Sequence, residues 1–178
     1  MIKKILQAKS WVIFILAVGM PIVLQFIYPS LSHILTSKMI LLLISFIASL
    51  GLYVWLYSVA IGLQFKLPPT IKLNVIEFKF LFAFSILIYV LYSISIMYSY
   101  KFWHMNPAIF MLILIFVMYC LLYPSYFIAE TFKTCELQRE VKFHEFIGAF
   151  FLFLLYPIGI WIIQPKVNKM FANLNDLS

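Results

Sequence analysis

The sequence predicts an all-α polytopic membrane protein, a bundle of four transmembrane helices plus a fifth segment that either spans or re-enters. Three observations carry that fold class. Of 178 residues, 65% are hydrophobic and 11% charged, against about 45–50% and about 25% in ordinary soluble domains. Stretches 10–28, 39–63, 80–100 and 107–129 contain no Asp, Glu, Lys or Arg, and 146–163 is a fifth, shorter one. A bilayer core about 30 Å thick needs roughly 20 apolar residues in a helix. The cations, finally, gather in the short segments between these runs, where positive residues set orientation. No stretch outside the runs is long enough to build its own core, so residues 1–178 form a single membrane domain with spans at about 11–28, 39–63, 80–100, 107–129 and 146–163.

The first run follows Lys3, Lys4 and Lys9 and imitates a signal peptide. It continues to Tyr28 without a small-x-small cleavage pattern, and we read it as a retained first span. With the N-terminus in the cytoplasm, the inner side holds Lys3, Lys4, Lys9, Lys66, Lys72, Lys79, Lys133, Arg139 and Lys142. The outer side holds Lys38 and Lys101. That asymmetry predicts the N-in orientation; the location expected is the bacterial inner membrane. The fifth run is read as a crossing, which sets Lys166 and Lys169 outside. The alternative is a re-entrant hairpin bent at Pro157 and Gly159, which would return both lysines inside. Pro21 and Pro124 favour the crossing, because they show proline tolerated within other runs.

Two inner loops, 64–79 and 130–145, are the sizeable polar segments. Leu67-Pro68-Pro69 stops the second run, since proline lacks an amide proton and restricts the residue before it. The rest of that loop alternates apolar and charged residues, as expected at a headgroup surface. The second loop carries Glu136, Arg139, Glu140, Lys142 and His144 within nine residues. On a helix, Glu136 would meet Arg139 and Glu140 would meet His144; from Val141 to Phe146 the alternation equally fits an extended strand. These five side chains are the candidate partner contacts. A weak internal echo relates Phe65-Lys66 and Glu77-Phe78 to Phe132-Lys133 and Glu145-Phe146.

On the third run, Ser85, Tyr89, Tyr92, Ser95 and Ser99 fall close to one helical face. They are candidate helix-interface or pore-lining residues, and small or hydroxylated side chains at such faces more often mediate helix packing. No ionisable residue sits at the middle of a run, which argues against a coupled proton pump. Phosphate-loop, metalloprotease and Cys-x-x-Cys motifs are absent from the sequence. His33, His104 and His144 are scattered, so neither a metal nor another cofactor is expected, and the chain is read as non-enzymatic. Cys120 and Cys135 are read as inert. Twelve of the thirteen cations are lysine, which disfavours direct nucleic-acid binding and favours anionic lipid headgroups.

Three resemblances touch these residues. Arg139 and His144 have the Arg-x4-6-His spacing of HEPN ribonucleases, but those enzymes use a soluble helical bundle for which this chain has no room. A charged loop is the reading kept. Glu145-Phe-Ile-Gly-Ala-Phe-Phe-Leu152 and Tyr156-Pro-Ile-Gly-Ile-Trp-Ile-Ile-Gln-Pro-Lys-Val-Asn168 resemble the ending of small uncharacterised bacterial membrane proteins with a Pro-Ile-Gly-x-Trp-x-x-Gln-Pro-x-x-Asn signature. Gln7-Ala-Lys-Ser-Trp11 and Lys66-Leu-Pro68 share that likeness, which implies no activity. Size, span number and the Arg139–His144 spacing also resemble membrane accessory proteins of type VI-B CRISPR loci, which implies membrane-linked modulation of antiviral defence. The function expected is a non-catalytic membrane accessory or effector acting through loops 64–79 and 130–145 on a protein partner or a second copy. The alternative is a small transporter subunit or a homo-oligomeric pore lined by the Ser/Tyr stripe.

Overall fold

In the computed structural model, which describes residues 2–23, 26, 38–97 and 107–172, the chain is all-helical, with no strand among those residues. A short α1 (Ile2–Leu6) turns at Ala8, whose amide reaches the Ile5 carbonyl at 3.1 Å. Lys9 is extended, and α2 (Ser10–Phe14) begins after it and runs into a π-helical turn, Ile15–Gly19. Pro21 lies just beyond and cannot donate the amide that would close the preceding turn. The π turn lies directly against α3 (Lys38–Gln64), where a Cβ on Gly51 would fall 2.4 Å from the Leu16 carbonyl oxygen. Only glycine permits that approach of two helix backbones.

α4 (Val75–Met97) starts five residues before the apolar run it was expected to follow. Its start is set by Asn74, whose Oδ1 accepts the Glu77 amide at 3.2 Å while its Nδ2 donates to the Glu77 carboxylate at 3.1 Å. α5 (Pro107–Leu137) passes through Pro124 without a break and outruns its charge-free stretch by eight residues. Met111–Leu137 is, among the described residues, the one helix long and apolar enough to cross a membrane unaided. Ser10–Val23 and Ser49–Gln64 are shorter apolar helices.

The fifth run departs from the straight crossing. It forms two helices, α6 (Phe143–Leu154) and α7 (Tyr156–Ala172), bent by 120° at Leu155. At about 1.5 Å per residue the arms measure about 18 and 26 Å, so neither matches a bilayer core. A Cβ on Gly159 would sit 1.9 Å from the Leu152 carbonyl oxygen, so the sharp return requires glycine there. Phe143 and Phe146 pack on Tyr126, whereas Phe153 reaches Phe132 and Trp55. Ten residues of α6, about 15 Å, therefore advance only about 9 Å along α5. α6 crosses α5 obliquely and arrives at α3.

The core collects at the end of the bundle where α1, α6 and α7 join the ends of α3 and α5. Leu6, Trp55, Leu63, Phe78, Ile128, Phe132, Phe146, Ile160 and Val167 are buried there. Phe78 stacks on Phe127 at 4.7 Å between centroids, and Phe132 meets Phe153 edge-on at 6.2 Å; such pairs contribute about 0.5–1.5 kcal/mol beyond burial. At the opposite end α5 presents large apolar side chains outward, with Leu112 at 68% and Ile115 at 62% exposure.

Within this core lies one buried amide. Gln164, 0% exposed, accepts a hydrogen bond from Trp55 Nε1 at 2.8 Å. Its Nε2, with two hydrogens to share, lies within donating distance of the carbonyls of Ile5, Leu6 and Ala8 at 3.1–3.2 Å and of Asn168 Oδ1 at 2.9 Å. Asn168 Nδ2 adds a bond to the Ala8 carbonyl at 3.1 Å. Replacing Gln164 with Leu leaves the Trp55 N–H and the α1 carbonyls without this partner, and should cost about 2–4 kcal/mol. Thermal unfolding of the purified protein in detergent should report that loss, and limited proteolysis should show residues 2–9 released first. A Gln164→Leu protein with unchanged unfolding temperature and protected N-terminus would refute the assignment.

Candidate functional site

Loops 64–79 and 130–145 meet at the end of the bundle, and the reason lies in how α5 stops. Gln138 adopts a left-handed backbone, φ 54°, which ends the helix at Leu137. Its side-chain Nε2 then donates to the Cys135 carbonyl at 2.7 Å and to the Lys66 carbonyl at 3.3 Å. Cys135 Sγ donates to the Leu63 carbonyl at 3.2 Å, and Gln64 Nε2 reaches Thr131 Oγ1 at 3.4 Å. The two loops are thus sewn together through their bases.

Because the helix ends there, the helical ion pairs expected from spacing do not form. Glu136 accepts from Lys133, one turn earlier, and from Lys166 Nζ of α7 at 2.9 Å. Arg139 instead grips Glu145: Nη1 donates to Oε2 at 3.2 Å, Nη2 donates to Oε1, and Nη1 also reaches the Glu140 carbonyl at 3.0 Å. Segment 138–142 is irregular rather than strand, and α6 begins at Phe143. Glu140, Lys142 and His144 remain exposed. Within this chain the Arg139 guanidinium is engaged by Glu145 and not by His144.

The internal echo is local. Glu77 and Glu145 each sit three residues into a helix, each bonded to the residue before that helix, and each is followed by a buried phenylalanine, Phe78 or Phe146. Beyond that the halves diverge: α4 continues for 23 residues, whereas α6 stops after 12. Phe65 is exposed and Phe132 buried.

On α4, the Ser85 hydroxyl is buried and donates to the Phe82 carbonyl of its own helix at 2.7 Å. Tyr89 tilts against Tyr53 at 6.1 Å between ring centroids. The side chains of Tyr92 and Ser95, and all of Ser99, lie outside the described residues. Both cysteines are free and buried. No group of three or more His, Cys, Asp or Glu that could hold a metal occurs among the described residues.

The residues missed by spacing are Gln164, Asn168 and Glu145. All three lie in or beside the fifth run, and the available signal was an isolated Gln and Asn four residues apart next to a charge-free segment. Glu145 also carries a pH dependence. The Arg139 guanidinium and the Lys142 amide, at 2.8 Å, hold its carboxyl at about 2, below its ordinary 4.5. A depressed carboxyl stabilises the fold above its unfolded-state value and loses that contribution as pH falls through its folded one. Protection of the α6 amides, taken relative to the intrinsic exchange rate at each pH, should therefore fall between pH 4.5 and about 2, and Glu145→Gln should abolish that step; a step that persists in the variant would point to another group.

Comparison with known proteins finds no matching protein family, no matching curated protein and no matching solved structure.

Proposed function

We propose that this chain is a non-catalytic accessory of the bacterial inner membrane, with four crossing helices and a fifth segment that enters and returns. Outward Leu112 and Ile115, with exposed Ile22, Val23, Leu87 and Leu91, support hydrocarbon as the surrounding solvent. The return of the fifth segment is supported by Lys166, which meets Glu136 of the second inner loop, and by Asn168, which meets Ala8. Counting Lys166 and Lys169 with the inner cations gives eleven inside against Lys38 and Lys101 outside.

One observation carries the accessory reading. Loops 64–79 and 130–145 and the end of α7 are tied into one charged face, on which Glu140, Lys142 and His144 point outward. Such a face suits recognition of a protein partner, with charge fixing register and on-rate. The likeness to type VI-B accessory proteins would place that partner in antiviral defence.

Two measurements test this. A reporter fused after Ser178 should be active in the cytoplasm and inactive as a periplasmic enzyme; the reverse pattern would restore the fifth crossing. A photo-crosslinker at His144 should capture a discrete protein adduct in cells. Reversing Arg139, Glu140 and Lys142 together should cut that adduct at least about tenfold while the chain stays membrane-integrated. Undiminished capture would refute the face.

A further inference from the structure

Between α5, α6 and α7 lies a cleft of about 240 Å³, lined by Phe132, Lys133, Glu145, Gly148, Ile162 and Lys166 among others. Its chemistry is divided along its length. At one end Lys133 and Lys166 converge on the single carboxylate of Glu136, and Lys166 also lies 6.0 Å from the Phe132 ring centre. Glu145 lines the same end, with its charge already answered by Arg139. Three cations thus face two carboxylates, one positive charge in excess.

Away from that end the cleft becomes apolar. On α7, Ile162 and Lys166 stand one turn apart along one wall; on α6, Glu145, Gly148 and Leu152 form the facing one. Ile162 is an exposed large hydrophobic and Leu152 is half-buried. The cationic end lies beside loop 130–145, and the apolar end lies toward the bend at Leu155.

We propose that this cleft binds one anionic phospholipid of the cytoplasmic leaflet, with its phosphodiester against Lys133 and Lys166 on their cleft side, away from Glu136, and an acyl chain along Ile162 and Leu152. The proposal rests on the membrane reading above and deepens it. A phosphodiester carries the single negative charge that the excess cation requires. The adjoining apolar ridge selects a lipid over a soluble phosphate, since a free anion would leave that ridge uncovered.

Gly148 supplies a blocking variant. A Cβ there meets nothing within 4 Å, so the side chain of Gly148→Leu starts into open space at the cleft wall, and leucine is the better helix former. The experiment uses full-length protein, delipidated in detergent, with phosphatidylglycerol and phosphatidylcholine compared by native mass spectrometry. Phosphatidylglycerol should be retained with about tenfold preference. Lys133→Gln with Lys166→Gln should bring the two lipids to parity. Gly148→Leu should do the same with an unfolding temperature no lower than the parent's.

Equal retention of both lipids by the parent, or a preference that survives both variants, would overturn the proposal. So would displacement of phosphatidylglycerol by millimolar glycerol phosphate, which would identify a phosphate site indifferent to chains. Carbonate extraction of the parent separates the two readings. A chain that stays in the membrane without lipid preference sinks the cleft alone, whereas a chain released by carbonate sinks the membrane reading as well.

Discussion

The arrangement depends on one buried amide. A five-residue helix such as α1 is too short to persist alone, and the carbonyls at its end have no intrahelical partners. Gln164 supplies those partners from 156 residues or more away, and in the same side chain fixes the Trp55 indole of α3. Burying a primary amide is costly unless its donors and acceptor are all satisfied. Here they are, and no buried side-chain polar atom lacks a partner among the described residues. The geometry that satisfies Gln164 also requires α7 to lie beside α1 and α3. The bend at Leu155 and the missing Cβ of Gly159 follow from that requirement.

A second constraint is where charge can reside. α5 leaves its apolar run at Ala129 and continues as a helix to Leu137, carrying Lys133 and Glu136 past the charge-free segment. That overhang forms the post against which α6 and α7 fold. Glu145 is then engaged by Arg139 within the same loop, and Glu136 by Lys133 of its own helix and by Lys166 of α7. Exposed pairs of this kind add little stability. Their consequence is geometric: they set the heights of loop 130–145 and the end of α7 relative to each other.

Much of the helical framework is legible because long charge-free runs favour continuous helix. α3 differs from its run by one residue at each end. The boundaries that shifted did so for local reasons that hydropathy does not record. α4 begins early because Asn74 and Glu77 cap it, and α5 ends late because Thr131, Lys133 and Thr134 are tolerated in a helix whose one side is packed. The fifth run offers two readings, a crossing favoured by the likeness of Pro157 to Pro21 and Pro124 and a hairpin bent at Pro157 and Gly159. A bend forms at Leu155, and the contact that makes glycine necessary at 159, with the Leu152 carbonyl, is not written in the local pattern. Spacing likewise paired Glu136 with Arg139, because nothing in the composition announces that Gln138 turns left-handed. Gln164 appeared only within a resemblance motif. Its task depends on the Ile5, Leu6 and Ala8 carbonyls, a contact across nearly the whole chain that no local pattern encodes.

The packed core and the charged face share one end of the molecule, and that coincidence has a mechanical meaning. On the membrane reading proposed above, lipid tails are as apolar as the side chains they replace, so helices in hydrocarbon would gain little from burial and depend on close packing and hydrogen bonds. The outward side chains of α5 from Met111 to Tyr119 make few demands on their neighbours, whereas the opposite end is joined by Gln138, Cys135, Gln164 and Lys166 across four segments. Loop 64–79 cannot shift without disturbing the Gln138 bond, and α7 cannot tilt without disturbing both Glu136 and α1. A ligand that touches any one of these segments therefore acts on all of them, which is the property a docking face needs and an isolated charged loop lacks.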